Sequence, residues 1–402
     1  MTGYAERFEW YASVCHSVQQ RAIELENQPD KRKGLRMFAP KEVAAILGIS
    51  PGHLRNLHRE PNFPPGRSAG NGRRSYSIDD LHAARAWLFD QTNSARYDPS
   101  RRENEGEKLQ TIAFVNFKGG SGKTTSATHF AQYLALHGYR VLLIDLDPQA
   151  SATALFGLHP DTDVAPEATF AGWTRRDDDA DAASLAKRMP QTTYWPRLDL
   201  IPASLALQQV EYELVGTLLA QRRYPFYDQL RQLLAHVSER YDVVVCDCRP
   251  DVGMLTLNAL IAATGLVVPM PPSMIDFASS GEFFRILAQI ARDLTEVAPG
   301  ALAYDFVRVL ITKHKMADRN QEAIVAWQRA HFGGSALDAP MLETALVDAA
   351  GILKETLYEY EPEGNRQTYQ RGLTAMNRVN ASLEAELLRV WGRSATGQGL
   401  AA

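Results

Sequence analysis

Lys118-Gly119-Gly120-Ser121-Gly122-Lys123-Thr124-Thr125 follows directly on an apolar run, Thr111-Ile112-Ala113-Phe114-Val115-Asn116, and opens onto Ser126 to Ala131. The run reads as a buried strand and the residues after the glycines as a helix. Strand, glycine-rich turn and helix in that order make a phosphate cradle. Glycine lacks a Cβ, so the backbone can fold tightly and aim its N–H groups at one anion. The helix N-terminus adds the positive end of its dipole. On this reading Gly119, Gly120, Ser121, Gly122, Thr124 and Thr125 line the phosphates. Lys123 reaches the β- and γ-phosphates, and the Thr124 hydroxyl completes the shell of a Mg²⁺ ion.

Two later stretches supply the acids such a cradle lacks. Arg140 to Asp145 is apolar without alternation, as parallel strands buried on both faces are, and runs into Asp145-Leu146-Asp147-Pro148-Gln149. Residues two apart on an extended chain share a face, so Asp145 and Asp147 can address one metal and water site. Tyr241 to Asp247 is a second apolar strand ending in an acid, which places Asp247 to hold water on Mg²⁺. Further strands are expected at 198–202, 266–269 and 307–312, with helices between them. The fold class is therefore α/β, a mostly parallel, doubly wound P-loop NTPase domain over residues 108–395.

The bulk composition excludes other classes. The 402 residues favour two or three folding units. A net charge of -4 gives no overall attraction to nucleic acid, so any such contact needs a local basic patch. Three cysteines offer neither a disulfide framework nor spaced zinc ligands. The polar, charged stretch from Met1 to Trp10 is not a secretory signal, and no apolar run approaches membrane-spanning length. A cytoplasmic protein with no membrane contact is expected.

Upstream of the cradle, residues 1–35 place Tyr4, Phe8, Tyr11, Cys15, Val18, Ala22 and Leu25 at alternating steps of four and three. A dimerisation helix and an amphipathic helix packed on its own domain both fit that spacing. Residues 36–92 read as a short helix, a glycine turn at Gly48, and a second helix from Pro51 to Arg59 capped by Ser50. Its outer face would carry His53, Arg55, Asn56 and His58. A turn-rich basic segment with Arg67, Arg73 and Arg74 follows, and then a helix begun by Ser77 and Asp80 as a capping box. Helix, glycine turn and capped helix make the helix-turn-helix plan, and the block resembles the α-helical winged helix-turn-helix domain of the MerR type, which implies Arg55 and Asn56 at base edges and the wing arginines on phosphates. A small three-helix protein-binding module with a solvated basic loop fits the same residues. Residues 93–107, with Arg96, Arg101 and Arg102, read as a flexible solvated linker, and 159–196 as a surface excursion.

The cradle departs from the usual P-loop by having Phe117 where glycine stands and by carrying Lys118. In this it resembles the deviant Walker A motif of the ParA/MinD family. Asp145-Leu146-Asp147-Pro148-Gln149 matches that family's Asp-x-Asp-Pro-Gln. The order of basic helical block, deviant cradle and acid-ended strands is similar to the large ParA class, including the RepA proteins of plasmid repABC operons. The stretch from Met341 to Tyr360 is similar to that group too. The resemblance implies a plasmid-partition ATPase that uses ATP/ADP and Mg²⁺ and works as a homodimer, with Lys118 touching nucleotide across the interface. Asp147 would orient the attacking water while Asp145 supports the magnesium shell. A ParB/RepB-type partner would stimulate hydrolysis. The ATP form would grip nucleoid DNA without regard to sequence, with Lys313, Lys315, Arg319 and Lys354 as candidate contacts. Taken one at a time, those four cations read equally well as solvated surface residues. The N-terminal block would read an operator and repress its own operon. A repressor for which nucleotide is only a conformational ligand is a rival reading, and a metallocluster ATPase using Cys246 and Cys248 is another. Arg249 departs from the family, which has proline after the cysteine that follows the second acid.

Overall fold

The computed structural model describes residues 4–26, 33–68, 74–176, 181–220, 226–298, 300–352, 354–361 and 366–393. The chain divides into two units, Met1–Leu35 and Arg36–Ala402. The first is one helix, Tyr4–Glu26, on which Tyr4, Phe8, Tyr11 and Val18 are exposed.

The second unit begins with helices Pro40–Leu47 and Pro51–Leu57. Gly48 ends the first at φ +63°, a left-handed cap that glycine adopts without Cβ strain. Ser50 begins the next by accepting the His53 N–H at 3.0 Å. Two short strands, β1 (Arg67–Ser68) and β2 (Arg74–Ser75), pair antiparallel. Helix Ile78–Thr92 then starts on the Ser77–Asp80 capping box. Val43, Leu47, Leu54, Leu57, Phe63, Tyr76, Leu81 and Leu88 close a small core inside this block. His58 is half-buried rather than fully exposed: its Nε2 lies 2.6 Å from the Tyr76 hydroxyl, and the second helix stops at Leu57 instead of Arg59.

The main sheet has seven strands: β3 (Gln110–Phe114), β4 (Val141–Asp145), β5 (Gln191–Thr192), β6 (Leu198–Ile201), β7 (Val243–Asp247), β8 (Gly265–Met270) and β9 (Phe306–Ile311). Their order across the sheet is β5-β6-β4-β7-β3-β8-β9, all parallel except the β5 edge strand. β3, β4, β7 and β8 are buried along their whole length, as strands covered by helices on both faces must be. Each fully buried Val, Leu or Ile there contributes about 1.5–3 kcal/mol relative to exposure. In open sheets of this kind ligands bind beyond the carboxyl ends of the strands.

Two expectations are overturned. Residues 159–196 are no surface excursion: Phe170, Trp173, Ala186, Met189 and Trp195 are buried. The Trp173 indole donates to Gln229 O at 2.8 Å and the Trp195 indole to Glu359 Oε1 at 2.7 Å. The acids Asp177 to Asp179 of that stretch lie outside the described residues. Residues 93–107 are a packed strap. Arg101 N–H donates to Asp242 Oδ1 at 2.9 Å and its guanidinium to Ser238 O at 2.7 Å, while Glu107 pairs with Arg393 at 2.6 Å.

The strap and the last helix of the N-terminal block meet the end of the cradle's own helix, Lys123–Leu136. His82 Nε2–H donates to Ala135 O at 2.9 Å. Gly138 follows that helix at φ +97°, where an added Cβ would come within 3.0 Å of Arg85 Cδ. The long final helix, Arg366–Val390, buries Tyr369, Leu373, Met376, Val379 and Leu383 along one face.

Candidate nucleotide site

The cradle joins β3 to helix Lys123–Leu136. Asn116 anchors its start: the side-chain amide donates to Pro269 O at 2.6 Å, and its Oδ1 accepts the Lys118 N–H at 3.0 Å. Gly120 and Gly122 take φ of +72° and +94°, conformations that side-chain-bearing residues rarely adopt. Lys123 is buried, and its ammonium donates to Lys118 O at 3.0 Å across the loop. Burial lowers its pKa, against the attraction of Asp247. Lys118 is half-buried and pairs with Asp276, third residue of helix Met274–Val297.

The three acids converge beside the cradle. Parallel register sets Asp145 and Asp247 side by side at the ends of β4 and β7 and sets Phe114 of β3 against Asp247. Asp145 is fully buried, and its oxygens accept from Thr153 N–H at 2.9 Å, Thr153 Oγ1 at 2.8 Å and Asp147 N–H at 3.1 Å. Those bonds fold the Asp147 turn back over the strand end. Asp147 is half-buried, with Oδ1 accepting the Gln149 N–H at 2.9 Å and Oδ2 taking no hydrogen bond among the described residues.

Asp247 is different. It is fully buried, and neither carboxylate oxygen has a properly formed hydrogen bond; the Thr124 hydroxyl lies near enough only to favour the ionised form. The buried Ser121 hydroxyl also lacks a partner. Burial, and then the charge of Asp145, hold Asp247 well above the usual carboxylate range. Burial, partly offset by the bonds from Thr153 and Asp147, pushes Asp145 up to about 6. A buried anion without donors is costly. A cation beside Thr124 and a phosphate in the glycine cradle would supply what both orphaned groups lack, so these residues fit Mg²⁺ and a nucleotide.

Arg249 has a structural account. It pairs with Glu211 at 3.3 Å and Asp251 at 2.5 Å, so its charge is taken up locally. Glu211 also caps helix Met254–Ala262, accepting Met254 N–H at 2.7 Å and Leu255 N–H at 3.1 Å. Gly253 leaves room for that carboxylate, 2.7 Å from where a Cβ would stand.

A second network, which the sequence did not disclose, lies behind the cradle helix. His129 Nδ1–H donates to Thr125 O at 2.7 Å and Nε2 accepts the Leu357 N–H at 3.1 Å, which fixes the tautomer of a neutral ring whose pKa burial pushes down to about 4. Gln132 donates to Glu359 Oε1 at 3.1 Å.

Arg55 and Asn56 are exposed on helix Pro51–Leu57. Arg67 and Arg74 are exposed on the two-stranded ribbon, with Arg74 also donating to Pro65 O. Arg73 lies outside the described residues. Of the C-terminal cations, Lys315 pairs with Glu343 at 3.4 Å, Arg319 is exposed at the start of helix Arg319–Phe332, and Lys354 is half-buried at φ +53°. Lys313 is exposed and stands at the cradle, with Nζ 3.9 Å from where a Gly120 Cβ would be. Cys246 and Cys248 are buried, and burial beside Asp247 pushes the Cys246 thiol up to about 12. Among the described residues no helix is long and apolar enough to cross a membrane.

Comparison with known proteins agrees with this geometry. A family model described as an AAA domain matches residues 109–297. A relative from Rhizobium rhizogenes that bears the name replication protein A is 42% identical over 372 residues, 91% of this chain and 90% of the relative. Protein SopA of Escherichia coli strain K12 is 30% identical over 342 residues, 83% of each chain. A solved partition protein shares the fold with a TM-score of 0.64 at 21% identity, over 95% of this chain and 99% of its own. With a deviant cradle, the Asp145-to-Gln149 turn and an acid-ended β7 in one parallel sheet, this chain belongs to the ParA family of P-loop partition ATPases.

Proposed function

We propose that this chain is a DNA-segregation ATPase that works as an ATP-switched homodimer in the cytoplasm, in association with the nucleoid. The observation that carries the reading is Asp247, a buried carboxylate without donors facing Thr124 and Lys123. Thr124 and Asp247 would hold Mg²⁺, with Asp145 supporting its shell through the Asp147 turn. The ion supplies charge neutralisation at the phosphates. Gly119 to Thr125 hold the phosphates by backbone N–H groups, Lys123 neutralises them, and Asp147 Oδ2 orients the attacking water. Lys118, tied to Asp276 in the single chain, would exchange that partner for nucleotide bound by a second protomer.

A ParB/RepB-type partner would stimulate the weak intrinsic hydrolysis and release DNA. Lys315, Arg319 and Lys354 are candidates for the non-specific contact. Arg55 and Asn56 with Arg67, Arg73 and Arg74 are candidates for operator recognition and autorepression. The exposed positions of Arg55, Asn56, Arg67 and Arg74 suit that role. Hydrolysis of ATP is the test, measured alone, with DNA, and with the centromere-binding protein encoded beside this chain. Stimulation by the two together is expected, and Asp147→Ala should abolish it together with plasmid stability. Persistence of both in that variant would favour a repressor for which nucleotide is only a conformational ligand.

A further inference from the structure

β9 leaves the sheet against the cradle itself. Thr312 Oγ1 donates to Ser121 O at 2.7 Å in a fully buried bond. The Thr312 side chain also lies 3.5 Å from where a Cβ on Gly122 would stand, an ordinary contact distance that places it directly beside the loop. This contact fixes the backbone of the β9 exit relative to the phosphate loop. Lys313 then turns into the left-handed region at φ +52°, unusual for a residue with a side chain. Its ammonium comes to rest over the middle of the loop, 3.9 Å from the Cβ position of Gly120.

That ammonium has no hydrogen bond or ion pair among the described residues. The neighbouring lysines do: Lys118 pairs with Asp276, Lys123 donates to Lys118 O, and Lys315 pairs with Glu343. An exposed, unpaired cation beside the glycine cradle adds positive potential that favours an anion there. The sheet order also fixes its side of approach. Asp145 and Asp247 end β4 and β7 on one flank of β3, whereas β8 and β9 lie on the other. Lys313 therefore faces the cradle from the flank opposite the acids.

We propose that Lys313 is a nucleotide ligand, a third lysine that contacts the phosphate chain from the β9 flank, and that it is not part of a DNA-binding patch. This rests on the nucleotide reading of the cradle. The test is calorimetric titration of the full-length protein with ADP, together with DNA binding at saturating non-hydrolysable ATP. Lys313→Gln is expected to weaken ADP binding about tenfold, the scale of one charge-assisted contact, and Lys313→Arg to restore most of it. Lys313→Gly, which suits the left-handed backbone, should lose as much as Lys313→Gln, while Lys315→Gln binds ADP like the parent. DNA affinity at saturating nucleotide should be unchanged in Lys313→Gln. ADP affinity within twofold of the parent in both Lys313→Gln and Lys313→Gly would overturn the proposal, as would loss of DNA binding alone. If the parent chain itself bound no ADP, the underlying nucleotide reading would fall, an outcome separable from a failure at Lys313.

Discussion

Two buried carboxylates, Asp247 and Glu359, show how differently this fold treats the same chemical group. Glu359 accepts from Gln132 Nε2 at 3.1 Å, Trp195 Nε1 at 2.7 Å, Thr356 N–H at 2.8 Å and the Tyr194 hydroxyl. Asp247 has no such bond and sits beside the buried Asp145. Folding satisfies the first within the chain, so the group joins the β5 edge, the cradle helix and the segment before the final helix. It leaves the second in want of a cation. A satisfied buried acid marks architecture here, and an orphaned one marks a site.

The largest effect should come from removing the satisfied acid. Glu359→Ala strands a tryptophan, a tyrosine, a glutamine and a backbone donor, at a cost of about 4 kcal/mol. The melting temperature should fall by about 5 °C. A loss of only a degree or two would mean that water replaces the carboxylate and that the contrast with Asp247 is overdrawn.

A smaller effect is expected from pH. The folded pKa values of Asp145 (about 6) and Asp247 are raised above the ordinary aspartate value. The native state therefore keeps protons that the unfolded chain has already released. Stability of the nucleotide-free protein in EDTA should fall as pH rises from about 4 through about 6 and beyond, and the penalty should be fully present once both groups are ionised. Melting curves between about pH 4 and about pH 8 would show the decline. In Asp247→Asn the same decline should be shallower, because one of the two facing charges is gone.

Much of this contrast was legible before any coordinates. β3, β4 and β7 announce themselves because parallel strands covered on both faces are apolar throughout, and the cradle because its glycines sit between strand and helix. Asp145, Asp147 and Asp247 followed from their places at strand ends. What stayed hidden depends on partners far along the chain. Trp195 meets Glu359 across 164 residues, and Thr312 meets Ser121 across 191. No local pattern marks such pairs, so 159–196 read as surface and Lys313 as one more exposed cation. Arg101 misled for the same reason, since its carbonyl partners Ser238 and Tyr241 come from a distant turn.

Magnesium dependence of ATP binding tests the orphaned acid most directly. Thermal unfolding would be followed with ATP in the presence and absence of Mg²⁺, for the parent chain and for Asp247→Asn. In the parent, ATP should stabilise markedly more with Mg²⁺ than without. In Asp247→Asn the nucleotide-free protein should melt slightly higher than the parent at a pH where the parent carboxyl is ionised, since a buried carboxylate without donors has been removed, and ATP should stabilise it equally with or without the ion. A variant that kept the full magnesium-dependent increment would contradict the assignment of Asp247 as the metal-side acid of this site.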